Sequence, residues 1–195
     1  MKIQTVGIIG AGQMGSGIAH VCALAGYDVL LTDVSEDALT AAQETIRGNM
    51  DRQVSREKIT EADRDAALER IGRTATLTDL GKSDLVIEAA TEREAVKDAI
   101  FKELVPALKP DTILTTNTSS ISITRLASKT DRPEKFMGFH FMNPVPIMSL
   151  VELLRGIATD EETFDACMGV VQRLDKTAAT AEDFPAFIVN RILMP

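Results

Sequence analysis

Val6-Gly7-Ile8-Ile9-Gly10-Ala11-Gly12-Gln13-Met14-Gly15 is an apolar, β-branched run that stops in glycines spaced as GxGxxG. In that spacing the first glycine permits a tight turn, the second lets backbone approach a pyrophosphate, and the third lets a helix pack on a strand. Amides at the start of the helix, near Gln13 and Met14, then face the phosphates. Alone the spacing is a weak signal, because glycine turns are common. Its flanks decide the fold. Residues 3–9 read as a strand, and residues 13–25 place small and apolar side chains at helical spacing. After Gly26, residues 28–32 read as a second strand, so a βαβ unit closes within about 30 residues. That strand stops at Asp33, roughly 20 residues beyond the glycines, where a carboxylate can accept both hydroxyls of an adenosine ribose and repel a 2′-phosphate. NAD is therefore expected over NADP, unless a nearby Arg reverses the preference. Asp33 could also simply begin a turn or cap a helix.

Composition agrees with an α/β core. Of 195 residues 45% are hydrophobic but only 4% aromatic, with no Trp, so Ala, Val, Ile, Leu and Met must fill one substantial core. A net charge of -8 argues against a nucleic-acid partner. Cys22 and Cys167 stand far apart with no CxxC or Cys/His cluster, so neither a metal site nor a disulfide framework is suggested. No run is long enough to span a membrane, and a first strand starting at Ile3 leaves no room for a signal peptide. A cytoplasmic protein is expected.

Beyond the βαβ unit the alternation continues. Ser35 can cap a helix whose apolar stripe is Leu39, Ala42, Ile46 and Met50. Thr60-Glu61-Ala62-Asp63 can start a second helix with Ala66, Ala67 and Ile71 on its apolar face, making a highly charged hairpin inserted between strands. Residues 85–89 read as a strand, 93–108 as an amphipathic helix, and 112–116 as another strand. A short helix over 122–127, a strand over 136–141 and an irregular Asn143-Pro144-Val145-Pro146 loop follow. Residues 149–154 are strand-like, 160–174 helical and 177–181 a last strand. Pro185 fits the first turn of a further helix, whose Phe187, Ile188, Ile192, Leu193 and Met194 want a partner. The expected architecture is a Rossmann-type, doubly wound, mostly parallel sheet. Residues 1–184 are expected to form the NAD-binding domain, and the apolar helix that starts at Pro185 is expected to find its partner further downstream.

One of only two histidines, His140, falls at the carboxyl end of a strand, the edge where open α/β sheets bind ligands. Oxidising an alcohol requires a base to take the hydroxyl proton as hydride leaves carbon, and histidine titrates near the working pH. Glu152, on the next apolar segment, could hold it. From spacing alone His140 could equally be structural, as His20 inside the first helix is taken to be. Ser119 and Ser120, at another strand end, could donate to a substrate or merely cap the next helix.

Five motifs in order closely resemble the amino-terminal domain of 3-hydroxyacyl-CoA dehydrogenases, particularly bacterial 3-hydroxybutyryl-CoA dehydrogenases. They are the segment 6–15, Glu88-Ala89-Ala90-Thr91-Glu92, Thr116-Asn117-Thr118-Ser119-Ser120, His140-Phe141-Met142-Asn143-Pro144-Val145-Pro146 and Phe187-Ile188-Val189-Asn190-Arg191. The resemblance implies that His140 is the general base, Glu152 its partner, and Ser119 and Asn190 hydrogen-bond substrate around its 3-hydroxyl and thioester carbonyl. It places NAD against Gly10, Gly12, Gln13, Met14, Gly15, Asp33, Ala90, Glu92, Lys97, Asn117, Ser119 and Asn143. It likens the first helical hairpin to a coenzyme A contact, with Arg52, Arg56 and Lys58 as a basic cluster, although an ordinary solvated face fits each of them too. Arg93 stands where Asn is usual, Ser149 where Lys is usual and Ala186 where Gly is usual. The resemblance further implies that residues 185–195 begin a C-terminal helical domain, absent from this chain, through which the full-length protein pairs as a homodimer.

The expected activity is NAD-linked, reversible oxidation of a 3-hydroxyacyl-CoA to the 3-oxoacyl-CoA. Two other readings share the glycine loop: a non-catalytic NAD-binding module, and a related sugar-acid (gulonate) dehydrogenase. His140 with Glu152 argues against the first. The Phe141-Met142 pair and the basic cluster argue against the second.

Overall fold

The computed structural model describes residues 2–184 together with Phe187 and Ile192. Eight strands form one sheet: β1 (Thr5–Ile9), β2 (Asp28–Thr32), β3 (Ile71–Thr74), β4 (Leu85–Glu88), β5 (Ile113–Thr116), β6 (Phe136–Phe141), β7 (Leu150–Arg155) and β8 (Thr177–Glu182). Their spatial order is β3-β2-β1-β4-β5-β6-β7-β8. Neighbours run parallel except β6 and β7, which are antiparallel. The order reverses between β1 and β4, the switch point at which a doubly wound sheet leaves a crevice at the strand carboxyl ends.

Helices cover both faces. On one lie α1 (Gln13–Leu24), α2 (Glu36–Ser55), α3 (Glu61–Glu69) and a later helix over Glu161–Arg173; on the other lie α4 (Glu94–Leu104) and α5 (Ile123–Ala127). The Glu161–Arg173 helix is α6. Ser35 caps α2 by accepting from Ala38 N at 3.2 Å. Thr60 and Asp63 form a reciprocal capping box at α3. The expected stripe Leu39, Ala42, Ile46 and Met50 is at most 2% exposed. Burial contributes about 1.5–3 kcal/mol for each Leu-sized side chain, so this stripe, more than intrinsic propensity, holds the charged hairpin on the sheet.

Three local expectations are corrected. Ile71 does not belong to α3: it opens the edge strand β3, whose Ile71-Gly72-Arg73-Thr74 sequence buries only its first residue and so lacks a readable strand pattern. The helix expected over 93–108 ends at Leu104 and tightens into a 3-10 turn, Val105–Ala107, because Pro106 lacks the N–H that a continuing helix needs. The first strand starts at Thr5, two residues later than Ile3 suggested.

Asp84 pins that first strand to β4. Its Oδ2 accepts from Gln4 N at 3.0 Å, Thr5 N at 2.9 Å and Thr5 Oγ1 at 2.9 Å, and its Oδ1 from Lys109 Nζ at 2.6 Å. Burial alone would raise its pKa, but the Lys109, Thr5 and Gln4 hydrogen bonds outweigh it and hold the carboxyl well below the usual carboxylate range. A depressed folded-state pKa contributes stability above the unfolded value of about 3.9, lost as pH falls. Asp84→Ala is therefore expected to cost about 1–2 kcal/mol near neutral pH after allowance for solvent screening. In urea unfolding the gap between variant and parent should shrink below about pH 4. A gap independent of pH would contradict the charged anchor.

Candidate active site

At the carboxyl ends of β1, β4, β5 and β6 lies a cavity of about 390 Å³. Met14 enters it from α1, Ala90, Glu92 and Lys97 from the region after β4, Asn117 and Ser119 from beyond β5, and His140 and Asn143 from the end of β6. Ala89, Thr91, Phe141 and Met142 complete the wall.

Within this cavity the strand register makes the chemistry. β6 and β7 are antiparallel with His140 directly opposite Glu152, so the two side chains share one face. Phe139 and Phe141 point to the other face, where they stack at 4.9 Å in the core. His140 Nδ1 lies 2.6 Å from Glu152 Oε2, and His140 Nε2 lies 3.0 Å from Ser119 Oγ. Glu152 is fully buried and His140 is 5% exposed. A carboxylate at that distance takes the Nδ1 proton as its hydrogen bond, which leaves the Nε2 lone pair directed at Ser119 and the cavity. Phe187 lies beside the imidazole, with ring centroids 6.1 Å apart. Asn190 falls outside the described residues.

The turn that presents Ser119 is built by Glu92. One carboxylate oxygen, Oε1, accepts from Thr118 Oγ1 at 2.6 Å, Ser119 N at 2.8 Å, and Ser120 N and Oγ at 2.9 and 2.8 Å. Burial pushes the Glu92 pKa up, but the Thr118, Ser120 and Ser119 bonds and the Lys97 charge outweigh it and lower it from its ordinary value. Ser122 caps α5, so neither Ser119 nor Ser120 is a capping residue. Asn117 Oδ1 accepts from Phe141 N at 2.8 Å and ties the end of β5 to the end of β6.

Lys97 lines the cavity. Its ammonium is paired with Glu88 Oε2 at 2.5 Å, and both side chains are almost fully buried. Glu88 also accepts from Thr116 Oγ1 at 2.7 Å and Ala90 N at 2.9 Å. Sequence reasoning gave Glu88 no role. An acid closing an otherwise apolar strand was the available signal, since a buried charge needs a partner. Phe187 was read as part of a motif but not as a neighbour of His140.

The glycine loop fits a dinucleotide. Gly10 has φ +101, and a Cβ there would stand 2.7 Å from Ala89 O, so β1 and β4 meet across a glycine at the switch point. A Cβ on Gly15 would lie 1.7 Å from Gly10 O, which only glycine can accommodate. A Cβ on Gly12 would meet nothing within 4 Å, leaving open space over the N-terminus of α1, which no side chain caps. Pyrophosphate oxygens would sit there against the backbone amides. Asp33 Oδ2 accepts from Ala11 N at 2.8 Å, and Oδ1 accepts from Ser35 N at 3.0 Å, so Asp33 holds the loop from the end of β2. Ser35, not Asp33, caps α2.

Arg52, Arg56 and Lys58 are exposed and meet at a second cavity of about 390 Å³, with His20, Asn49 and Gln53 behind them and Pro144, Pro146 and Ile147 opposite. Among the described residues no group of three or more His, Cys, Asp or Glu could hold a metal ion, and no helix is long and apolar enough to cross a membrane.

The family model for the NAD binding domain of 3-hydroxyacyl-CoA dehydrogenase matches residues 5–184. The chain belongs to this family. A 3-hydroxybutyryl-CoA dehydrogenase of Bradyrhizobium diazoefficiens is 61% identical over 193 residues, which is 99% of this chain and 66% of that relative. A 3-hydroxyadipyl-CoA dehydrogenase of Escherichia coli is 43% identical over 100% of this chain and 41% of its own length. The crystal structure of (S)-3-hydroxybutyryl-CoA dehydrogenase from Ralstonia eutropha superposes with a TM-score of 0.96 at 45% identity, covering 98% of this chain and 68% of that one. Like those relatives, this member of the 3-hydroxyacyl-CoA dehydrogenase family carries a mostly parallel sheet wound by helices, and it spans only their amino-terminal part.

Proposed function

We propose that this chain is the cofactor-binding part of an enzyme that reversibly oxidises (S)-3-hydroxyacyl-CoA, 3-hydroxybutyryl-CoA foremost, to the 3-oxoacyl-CoA. The observation that carries the reading is the Glu152–His140–Ser119 relay opening onto a cavity beside the glycine loop. When bound, NAD supplies the hydride acceptor. His140 Nε2 takes the hydroxyl proton, and Glu152 holds the ring and stabilises the imidazolium that results. Ser119 Oγ, set by the Glu92 clamp, orients the reacting oxygen, and in the reverse direction His140 returns the proton. Asn190 completes the hydrogen bonding at the thioester carbonyl by resemblance to the family. Arg52, Arg56 and Lys58 offer charge to the phosphates of coenzyme A. Residues 1–184 make up the cofactor domain. Residues 185–195 begin the helical domain through which the full-length protein forms a homodimer.

The test is NAD reduction with (S)-3-hydroxybutyryl-CoA, by this chain and by this chain joined to the remaining carboxyl-terminal part of the Bradyrhizobium relative. Turnover by either form is expected. Absence of turnover in both, with NAD still bound, would overturn the enzyme reading, and turnover of gulonate alone would redirect it.

A further inference from the structure

The loop after β6 is a wall shared by the two cavities. Asn143 lines the His140 cavity, and Pro144, Pro146 and Ile147 line the basic one. The turn closes on a single carbonyl: Pro144 O accepts from Ile147 N at 2.9 Å and Met148 N at 3.0 Å. Two other parts of the fold hold the loop in place. From below, buried Val145 rests on α1, where a Cβ on Gly17 would come within 2.8 Å of Val145 Cβ. From the side, Lys176 Nζ donates to Val145 O at 2.8 Å and to Met148 O at 2.6 Å.

Lys176 reaches the loop because α6 ends in a reversal. Asp175 adopts φ 53, Lys176 N returns to Val171 O at 3.1 Å, and Thr177 N joins Ser149 O at 2.8 Å as β8 begins. Burial pulls the Lys176 ammonium below its ordinary value, against the pull of Cys22 and Asp175. A desolvated ammonium needs acceptors, and the loop carbonyls supply two.

We propose that Lys176 is a positioning residue that staples the partition between the cofactor cavity and the basic cavity, and thereby shapes the seat for acyl-CoA. The seat rests on the proposed function; the staple does not. The variants are Lys176→Met, which keeps the stem and removes the donors, and Lys176→Arg, which keeps charge and donors. Amide hydrogen exchange at Ile147 and Met148, the Kd for NADH and the Kd for acetoacetyl-CoA are measured on the 195-residue chain. Lys176→Met is expected to speed exchange at both amides by about tenfold or more, through loss of two charge-assisted bonds. It should weaken acetoacetyl-CoA by about tenfold and NADH by less than about twofold, with Lys176→Arg restoring most of both effects. Unchanged exchange in Lys176→Met would overturn the staple, and equal weakening of both ligands would overturn the selective role. If the parent chain binds NADH but no acetoacetyl-CoA, it is the acyl-CoA reading that fails, and the exchange rates still decide the staple.

Discussion

His140→Ala is expected to lower turnover of (S)-3-hydroxybutyryl-CoA by roughly 10²–10⁴-fold, the span that a positioned general base contributes. The Kd for NADH should move by less than about twofold, because the bond that Asp33 makes to the glycine loop and the packing of its glycines do not involve the imidazole. The size of the effect follows from the geometry. Nε2 is the ring atom turned to the cavity, and Glu152, fully buried at 2.6 Å from Nδ1, fixes the tautomer and stabilises the charge that forms. Steady-state kinetics on the catalytically complete form, paired with NADH fluorescence titration, check the claim. Loss of cofactor binding in parallel with turnover would show that His140 supports the cavity and is not its base.

Gly15→Ala should harm folding and binding together, whereas Gly12→Ala should harm binding alone. A methyl at Gly15 would lie 1.7 Å from Gly10 O, which is backbone and cannot rotate away, so α1 must shift off β1. The expected cost is roughly 1–3 kcal/mol or more, in the range of an overpacked core site. NADH affinity should fall by about 100-fold, because the amides at the start of α1 move with the helix. A methyl at Gly12 meets no protein atom within 4 Å and sits on ordinary backbone at φ -73, so stability should change by less than about 0.5 kcal/mol. It projects into the space where the pyrophosphate would lie, and NADH binding should weaken without any change in urea midpoint. A Gly15→Ala variant as stable as its parent would refute the packing argument.

Much of the fold was legible because its signals are local. Apolar runs ending in glycines, caps at Ser35 and Thr60, and the stripe on α2 each use only a few consecutive residues, and each is satisfied as expected. The edge strand β3 escaped because a four-residue strand with one buried side chain carries no periodicity. At the site, His140 could be picked out by its place at a strand end. Glu88 could not be assigned a role, because its partners Lys97 and Thr116 lie 9 and 28 residues away and only helix α4 and strand β5 bring them back.

By itself the sequence determined the glycine loop, the acid after the second strand, the alternating elements and membership in a family, since all of these are patterns along the chain. Only the tertiary structure decided which groups meet. The antiparallel pairing of β6 with β7 sets His140 opposite Glu152, and the Glu92 clamp turns Ser119 toward the imidazole. Lys176, distant along the chain from the Val145 carbonyl it holds, gave no signal at all until the fold closed. The physical reason is that turns and periodicity depend on neighbours in sequence, whereas hydrogen bonds and ion pairs at the site depend on strand register and on burial, which the assembled sheet alone supplies.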